Sequence, residues 1–301
     1  MTFEQLAIFV AVAEREHLTR AAEAIRLTPS AVSAAIKNLE AYYGVELFHR
    51  VGRRIELTDV GRSFLGEAKA TLARVRSAEL MLSEFGGLQR GSLRVSASQT
   101  IASYWLPPIL MRFHAEHPGI GLELTIGNTR TVSEAVIEGS AELGFVEGAV
   151  DAPALSSRAV ASDALVVVVS PDHPWADGRR LDADDIVGGG PWVMREEGSG
   201  TRSEFEAAIG KLSRSPHDLN VALTLPSNEA VLSAVRAGRC AAALSSAAAG
   251  LHLQQGLLAC AAFDLPARDF RLLRHKERHA SKAAVALEAL CKGSADYSPR
   301  R

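Results

Sequence analysis

Apolar residues recur along this chain with two different periods, and the period changes near residue 90. In residues 3–15 the apolar positions Phe3, Leu6, Phe9, Val10 and Ala13 fall three or four apart, which predicts an opening helix with one face turned inward. Thr19 stands where an N-cap belongs, ahead of Ala21, Ala22 and Ala24, and predicts a second short helix. Thr28 and Ser30 flank Pro29, which suits a first helical turn because it has no N–H to lose. Val32, Ile36, Leu39 and Tyr43 then share one face of a third helix, and Ser33, Ala34 and Lys37 share the other. Gly44 stops that helix. Leu47–Phe48 opens a strand that turns at Gly52 and returns over Arg54–Leu57, and Thr58 and Asp59 start a long helix reaching about Gly86–Gly87. Along it Leu65, Ala68, Leu72, Val75, Glu79 and Leu82 alternate at three and four residues, the spacing of a coiled-coil seam. A second copy of the helix would cover such a stripe, so the pattern predicts a dimer.

Beyond the glycines at 86, 87 and 91 the pattern becomes strands alternating with helices. LRVSAS, LELTIG, LGFVEG and ALVVVVS read as strands, with helices at about 100–116 and 131–139 between them. After PWVMREE (191–197) a second set follows, with CAAALSS and FRLLRH as strands and helices near 201–211, 228–237 and 280–291. The alternation predicts an α/β module with a parallel sheet and helices on both faces. Two lobes are expected, joined by chain crossings near 160–165 and 264–270. The predicted divisions are a winged helix-turn-helix over 1–58, a linker helix and hinge over 59–90, and a two-lobed module over 91–293. Its first lobe takes about 91–162 and 267–293, and its second about 163–266. The tail SADYSPRR is expected to be disordered.

Two short helices, a tight joint and a basic hairpin form a layout that places a helix in a DNA major groove. Small residues and a single lysine on the outer face of the third helix let it approach the base edges. The DNA-facing set predicted is Thr28, Pro29, Ser30, Ser33 and Lys37, with Arg50, Arg53 and Arg54 in the hairpin.

These residues also carry a resemblance. FEQLAIFVAVAE (3–14), TPSAVSAAIKNLE (28–40), GVELFHR (44–50) and ELTDVGRSFL (56–65) resemble the DNA-binding head of the LysR-type transcriptional regulators, densely and in order over about ninety residues. A weaker likeness continues through LPPILMRFHAEHPG, VIEGSAELGFVEG and EEGSGTR. The EEGSGTR loop is most similar to a branch that includes regulators of carbon fixation and of sulfur metabolism. The resemblance implies a periplasmic-binding-protein-like second half that binds an inducer between its lobes. It also implies a homodimer through the linker helix, assembly to a homotetramer, double-stranded DNA as partner and a contact with RNA polymerase. Many relatives carry glutamine and arginine where this chain has Pro29 and Ala34. Base readout must then lean on Ser30, Ser33, Lys37, the hairpin arginines and DNA shape.

Composition adds bounds. The chain has 301 residues, 47% of them hydrophobic, enough for more than one core. Net charge is −2, and residues 1–90 hold 12 basic and 11 acidic side chains, so DNA affinity must come from the placement of charges and not from a bulk field. There is no apolar run long enough for a membrane span and no secretory pattern at the start, so a cytoplasmic protein is expected. Cys240, Cys260 and Cys291 are too few and too scattered for a disulfide framework, and buried free thiols are expected. His275 and His279 lack a third metal ligand, and no nucleophile motif, Walker loop or dinucleotide fingerprint appears, so neither cofactor, metal nor catalysis is expected.

For the second half, strand ends mark the candidate site. Ser98, Gln99 and Thr100 follow one strand and start a helix. Ser199, Gly200, Thr201 and Arg202 start another, with Thr201 and Glu204 at capping-box spacing. Free amides and a partial positive charge at helix starts favour anions, and Arg202 offers a planar fork. Ser227 and Asn228 start a third helix, and Glu147 ends a first-lobe strand at the rim or hinge. The expected ligand is a small anionic effector: a carboxylate, a phosphorylated metabolite or a sulfur oxyanion. The alternative is a small-molecule-binding protein or enzyme that uses its head only for assembly.

Overall fold

The computed structural model describes residues 1–51, 54–85 and 91–292. The expected turn at Gly52, the hinge glycines at 86 and 87 and the C-terminal tail lie outside them, as do Arg53 and the side chain of Arg54. The chain forms two compact units: the head with its long helix, and the two-lobed α/β region.

In the head, α1 (Phe3–Arg15), α2 (Leu18–Ala24) and α3 (Pro29–Tyr43) precede a hairpin of β1 (Phe48–Val51) and β2 (Arg54–Leu57), and α4 (Asp59–Phe85) follows. Thr2 and Gln5 close a capping box on α1. The N-cap of α2 is His17, whose ring accepts from the Arg20 amide, and not Thr19. Thr28 caps α3 by accepting from the Ala31 amide, Pro29 fills the first turn, and Gly44 ends the helix at φ 65°. Only a residue without a Cβ adopts that left-handed conformation at low cost.

Leu6, Phe9, Val12, Ala21, Ala22, Val32, Ile36 and Leu39 form the head's core. Phe3 and Tyr43, expected inside, are 59% and 52% exposed, because each lies at a helix end beyond the reach of neighbouring elements. Glu40 ties α3 to the wing by accepting from the amides of Leu47 and Phe48. Gly61 lets α4 meet the wing, since a Cβ there would lie 2.2 Å from the Leu47 carbonyl oxygen. The stripe on α4 is divided. Ala68 is in the head's core, and Leu65 and Leu72 pack against it. Leu82 remains 69% exposed. The first half of the expected seam therefore packs in part against the head itself, while Leu82 near its far end is exposed.

The second unit holds β3 (Gly91–Ser98), a π turn at Ile101–Trp105, α5 (Leu106–Glu116), β4 (Ile120–Gly127), α6 (Thr129–Glu138), β5 (Leu143–Glu147) and β6 (Leu155–Val169). It continues with α7 (Ala183–Gly188), β7 (Trp192–Arg195), α8 (Gly200–Lys211), β8 (Val221–Leu225), α9 (Asn228–Ala237), β9 (Ala241–Ser245), α10 (Ser246–Gln254), β10 (Ala259–Ala261), β11 (Ala267–His275) and α11 (Lys282–Lys292). The strand order is β4-β3-β5-β11-β6-β9-β7-β8, with β10 paired to β6.

The sheet is mixed, where a parallel one was expected. β3, β4 and β5 are parallel, as are β7, β8 and β9, but β6 and β11 run antiparallel to their neighbours. Those two are the crossings. β6 pairs with β11 over Leu155–Ala164 and with β9 over Leu165–Val169, so one strand serves both lobes. Its first half, LSSRAVASD, carries few of the apolar residues that announce a buried strand, which is why only ALVVVVS was legible. Each lobe buries apolar side chains on both faces of its sheet. Among the described residues no helix is long and apolar enough to cross a membrane. Cys240 and Cys291 are buried, with the Cys291 thiol pushed up to about 12 by burial; Cys260 is exposed, contrary to expectation.

Candidate functional site

Two surfaces collect the predicted residues. On the head, the outer face of α3 shows Thr28, Pro29, Ser30 and Lys37 exposed, while Ser33 is half-buried. Thr28 and Ser30 share a hydrogen bond of 3.1 Å between their hydroxyls. Ala34 is exposed between Ser30 and Lys37, so the face is shallow and carries a single cation. Arg50 is exposed on β1 of the wing. Arg53 and the Arg54 side chain lie outside the described residues.

The second surface is the seam between the two α/β lobes, where lobe-one groups bind directly to lobe-two groups on two sides. On one side, Gln99 accepts from the Asn228 amide at 2.7 Å and donates to Glu229 at 2.8 Å. The buried Thr100 hydroxyl accepts from Asn228 Nδ2 at 3.1 Å. Asn228, also buried, accepts from Arg195 Nη1 at 2.5 Å. Ser227 caps α9 through the Ala230 amide.

On the other side, the start of α6 meets the loop before α8. Asn128 Nδ2 donates to Glu196 Oε1 at 3.2 Å, and the Arg130 amide donates to the Gly198 carbonyl at 3.2 Å. Gly198 sits at φ 85°, and a Cβ there would come within 2.9 Å of the Arg130 Cβ. At Gly200 a Cβ would come within 2.8 Å of the Glu147 carbonyl oxygen. Glu147 is therefore not on an open rim: it is buried against the start of α8. An acidic group there complements the positive end of the helix.

Beneath these contacts lies a buried ion pair on the two crossing strands. Arg268 donates to Asp163 through Nε at 2.9 Å and Nη2 at 2.7 Å, and both side chains are fully buried. Ser245 donates to the other Asp163 oxygen at 2.9 Å. Arg268 Nη1 donates to Thr201 at 3.0 Å. Burial pushes the Asp163 carboxyl up against the pull of Arg268, and the nearby Glu147 adds to that rise. Thr201 thus serves Arg268 and not a capping box; Ser199 is the N-cap residue of α8, with no side-chain capping bond.

Arg202, the cation expected to read the ligand, is turned away. Its Nε binds Glu206 at 2.7 Å, one helical turn on, and its Nη1 donates to the Arg195 carbonyl at 3.3 Å. It borders a separate cavity of about 470 Å³ beside Met194, His217 and Leu219. The buried guanidiniums at the seam belong to Arg195 and Arg268, which the sequence reading passed over. The signal for Arg195 was a charge closing the apolar run Trp192–Met194. For Arg202 it was a glutamate four residues on, the spacing of an intrahelical pair. Ser98 is buried, and its hydroxyl has no hydrogen-bond partner. Burial raises the Glu196 carboxyl, but its bonds to Arg195 outweigh this and hold it below the usual carboxylate range. Among the described residues no cluster of side chains has the makings of a metal site.

A capped helix-turn-helix with a wing, followed by a two-lobed α/β module whose crossing strands lie under a polar seam, has the layout of a DNA-binding regulator with an effector-binding domain. The lysR family of bacterial regulatory helix-turn-helix proteins matches residues 3–62, and the LysR substrate binding domain matches residues 86–296, so the chain belongs to the LysR family of transcriptional regulators. It is 34% identical over 285 residues to the HTH-type transcriptional regulator YeiE of Escherichia coli, covering 94% of each chain. It is 33% identical to the RuBisCO operon transcriptional regulator of Allochromatium vinosum, over 79% of this chain and 77% of that one. The carbon-fixation branch suggested by the EEGSGTR loop is thus among its relatives. The full-length regulator CbnR, solved with its target DNA, superposes with a TM-score of 0.68 at 21% identity, over 98% of this chain and all of that one. The regulatory domain of CcmR from Synechocystis, solved in complex with 2-PG, covers 70% of this chain and all of its own, with a TM-score of 0.63 at 22% identity. The family consists of transcriptional regulators, not enzymes.

Proposed function

We propose that this regulator binds DNA in a sequence-dependent way and that a small anion held between its two lobes sets how it binds. The observation that carries the reading is the buried chain Thr100–Asn228–Arg195, which links the lobes through a hydroxyl, an amide and a guanidinium. Burying a guanidinium is costly without an anionic partner, and the partner of Arg195 is Glu196, which is itself partly exposed at the seam, so this guanidinium can take an anion from outside. The helix starts at Asn228 and Gly200, the partnerless Ser98 hydroxyl and the complex of CcmR with 2-PG support the same reading. The ligand class is a small carboxylate, a phosphorylated metabolite or a sulfur oxyanion.

In this reading α3 enters the major groove, with Thr28, Pro29, Ser30, Ser33 and Lys37 toward the bases, and Arg50, Arg53 and Arg54 grip phosphates beside it. A homodimer forms along the linker helix, and pairs of dimers give a tetramer. The work is done in the cytoplasm, at promoters where RNA polymerase is the further partner. Anion binding changes the angle between lobes that share β6 and β11, and so the spacing of paired heads.

The test is a thermal-shift screen of small anions followed by calorimetry, since a ligand of the native state raises its melting temperature. Thr100→Val should weaken the anion found about ten- to a hundred-fold, the worth of one charge-assisted hydrogen bond. Arg202→Ala, outside the seam, should leave it unchanged. DNA footprints with and without the anion should differ in the parent protein and not in Thr100→Val. Full affinity in Thr100→Val would place the site elsewhere.

A further inference from the structure

We infer that Glu196 is a built-in occupant of the effector's anion seat, and that the effector works by taking its place on Arg195. The inference rests on the reading of the seam as an anion site. Its geometry is that of a bound ligand. Arg195 meets the Glu196 carboxylate fork to fork, through Nε at 2.8 Å and Nη2 at 3.0 Å. The same Glu196 oxygen that takes Nη2 also accepts from Asn128 of the first lobe at 3.2 Å. One carboxylate is therefore held by both lobes at once, as the carboxylate or phosphate of a bridging effector would be.

The two partners differ in what leaving would cost. The Arg195 side chain is 4% exposed, and that of Glu196 is 26% exposed. Glu196 can swing into water and recover its hydration. Arg195 cannot, so a departing Glu196 must be replaced by another anion. The Asp163–Arg268 pair makes the contrast, because both of its side chains are fully buried and neither can exchange. Of these two guanidiniums at the seam, only Arg195 can be handed from one carboxylate to another.

The exchange selects for chemistry. A neutral ligand leaves Arg195 without a counter-charge. A planar carboxylate reproduces the fork, and a tetrahedral phosphate or sulfate group offers two oxygens at similar spacing. Release of Glu196 breaks its bond to Asn128, which keeps a longer one to the Glu197 carbonyl, and the carbonyls of Glu197 and Gly198 hold Arg130 on the same loop. Effector capture thus removes one of the contacts between the lobes.

The experiment titrates the full chain by calorimetry with inorganic phosphate, sulfate and acetate. Glu196→Gln keeps the shape of the side chain and removes its charge. It should bind the preferred anion about ten- to a hundred-fold more tightly than the parent, because the anion no longer displaces a charged competitor. Glu197→Gln, one residue on and not bonded to Arg195, should change affinity by less than about twofold, as a general loss of negative charge would. Glu196→Asp withdraws the carboxylate by one methylene and should shift affinity in the same direction by less. It decides the matter if the glutamine variant does not fold. If the parent binds an anion that Thr100→Val loses, yet neither Glu196 variant gains affinity, the anion site stands and the built-in occupant is refuted. Equal gains in the Glu196→Gln and Glu197→Gln variants would refute it too. If no protein binds any of the three anions, both readings fall.

Discussion

Replacing Asp163 with alanine should cost the two-lobed unit far more than one contact. The substitution leaves the Arg268 guanidinium, wholly buried, with only Thr201 as a partner. Breaking a buried pair by removing one member costs about 3–5 kcal/mol, because the remaining charge is stranded in low dielectric. Glu147 stands close enough to raise the Asp163 carboxyl, so it offers Arg268 a partial substitute and sets the expectation near the lower end of that range. In a unit of this size about 3–5 kcal/mol corresponds to a fall of roughly 6–20 °C in melting temperature. The assay is built into the chain: its three tryptophans, Trp105, Trp175 and Trp192, all lie in this unit, so their fluorescence in a denaturant or thermal series follows it without signal from the head. Arg268→Met should cost less, since it strands an acid that can take up a proton. The double variant should be more stable than the two single losses added together predict. A single-variant loss below about 1 kcal/mol, against the expectation for a stranded charge, would refute the reasoning. Simple additivity in the double variant would do the same.

Other perturbations follow from the same geometry. Gly61→Ala would drive a Cβ into the Leu47 carbonyl and should destabilise the head by about 1–3 kcal/mol, read by far-ultraviolet circular dichroism of the purified chain; a neutral effect would show that α4 and the wing are not in tight contact. Lys37→Ala combined with Arg50→Ala should weaken binding to all DNA sequences and flatten the salt dependence by roughly one to two units of slope, measured by anisotropy. Leu82→Glu should shift mass toward monomer in sedimentation while Leu72→Glu should chiefly unfold the head, because Leu72 packs inward and Leu82 does not. Asp185, bonded to Arg179, has its carboxyl lowered to about 2. It therefore lends stability above the ordinary carboxylate value, lost as pH falls toward about 2, and the melting curves of the parent and Asp185→Asn should converge across that window.

Local signals were legible in the sequence because their physics is local. A threonine before Pro29, a glycine at 44 and alternating apolar residues in β3 each act within a turn or a strand, so the head and the order of the α/β elements could be read directly. The helix starts at Ser98–Thr100, Gly200 and Asn228 could be read for the same reason. What escaped reading depends on partners far apart in the chain. Asp163 and Arg268 are polar residues in strands more than a hundred positions apart, and only the pairing of β6 with β11 brings them together. Arg195 ended a strand and could be taken for its solvent-facing close. Arg202 looked like the ligand's cation because it stood beside the loop, yet the nearer attraction of Glu206 decided its direction.

The shared strands also fix an order of assembly. The second lobe is an uninterrupted stretch of chain lying between β6 and β11, so it can close its sheet as soon as it has been synthesised. The first lobe cannot. Its β3 and β5 are made early, but β11, which pairs with β5, and α11, which supplies Ala284, Leu287 and Leu290 to its core, come from the last forty or so residues of the chain. On the ribosome the first lobe therefore waits, with apolar strands exposed, through the synthesis of its neighbour. Loss of a few dozen residues from the C-terminus would undo a domain that began two hundred residues earlier, and would leave the later-made lobe largely intact.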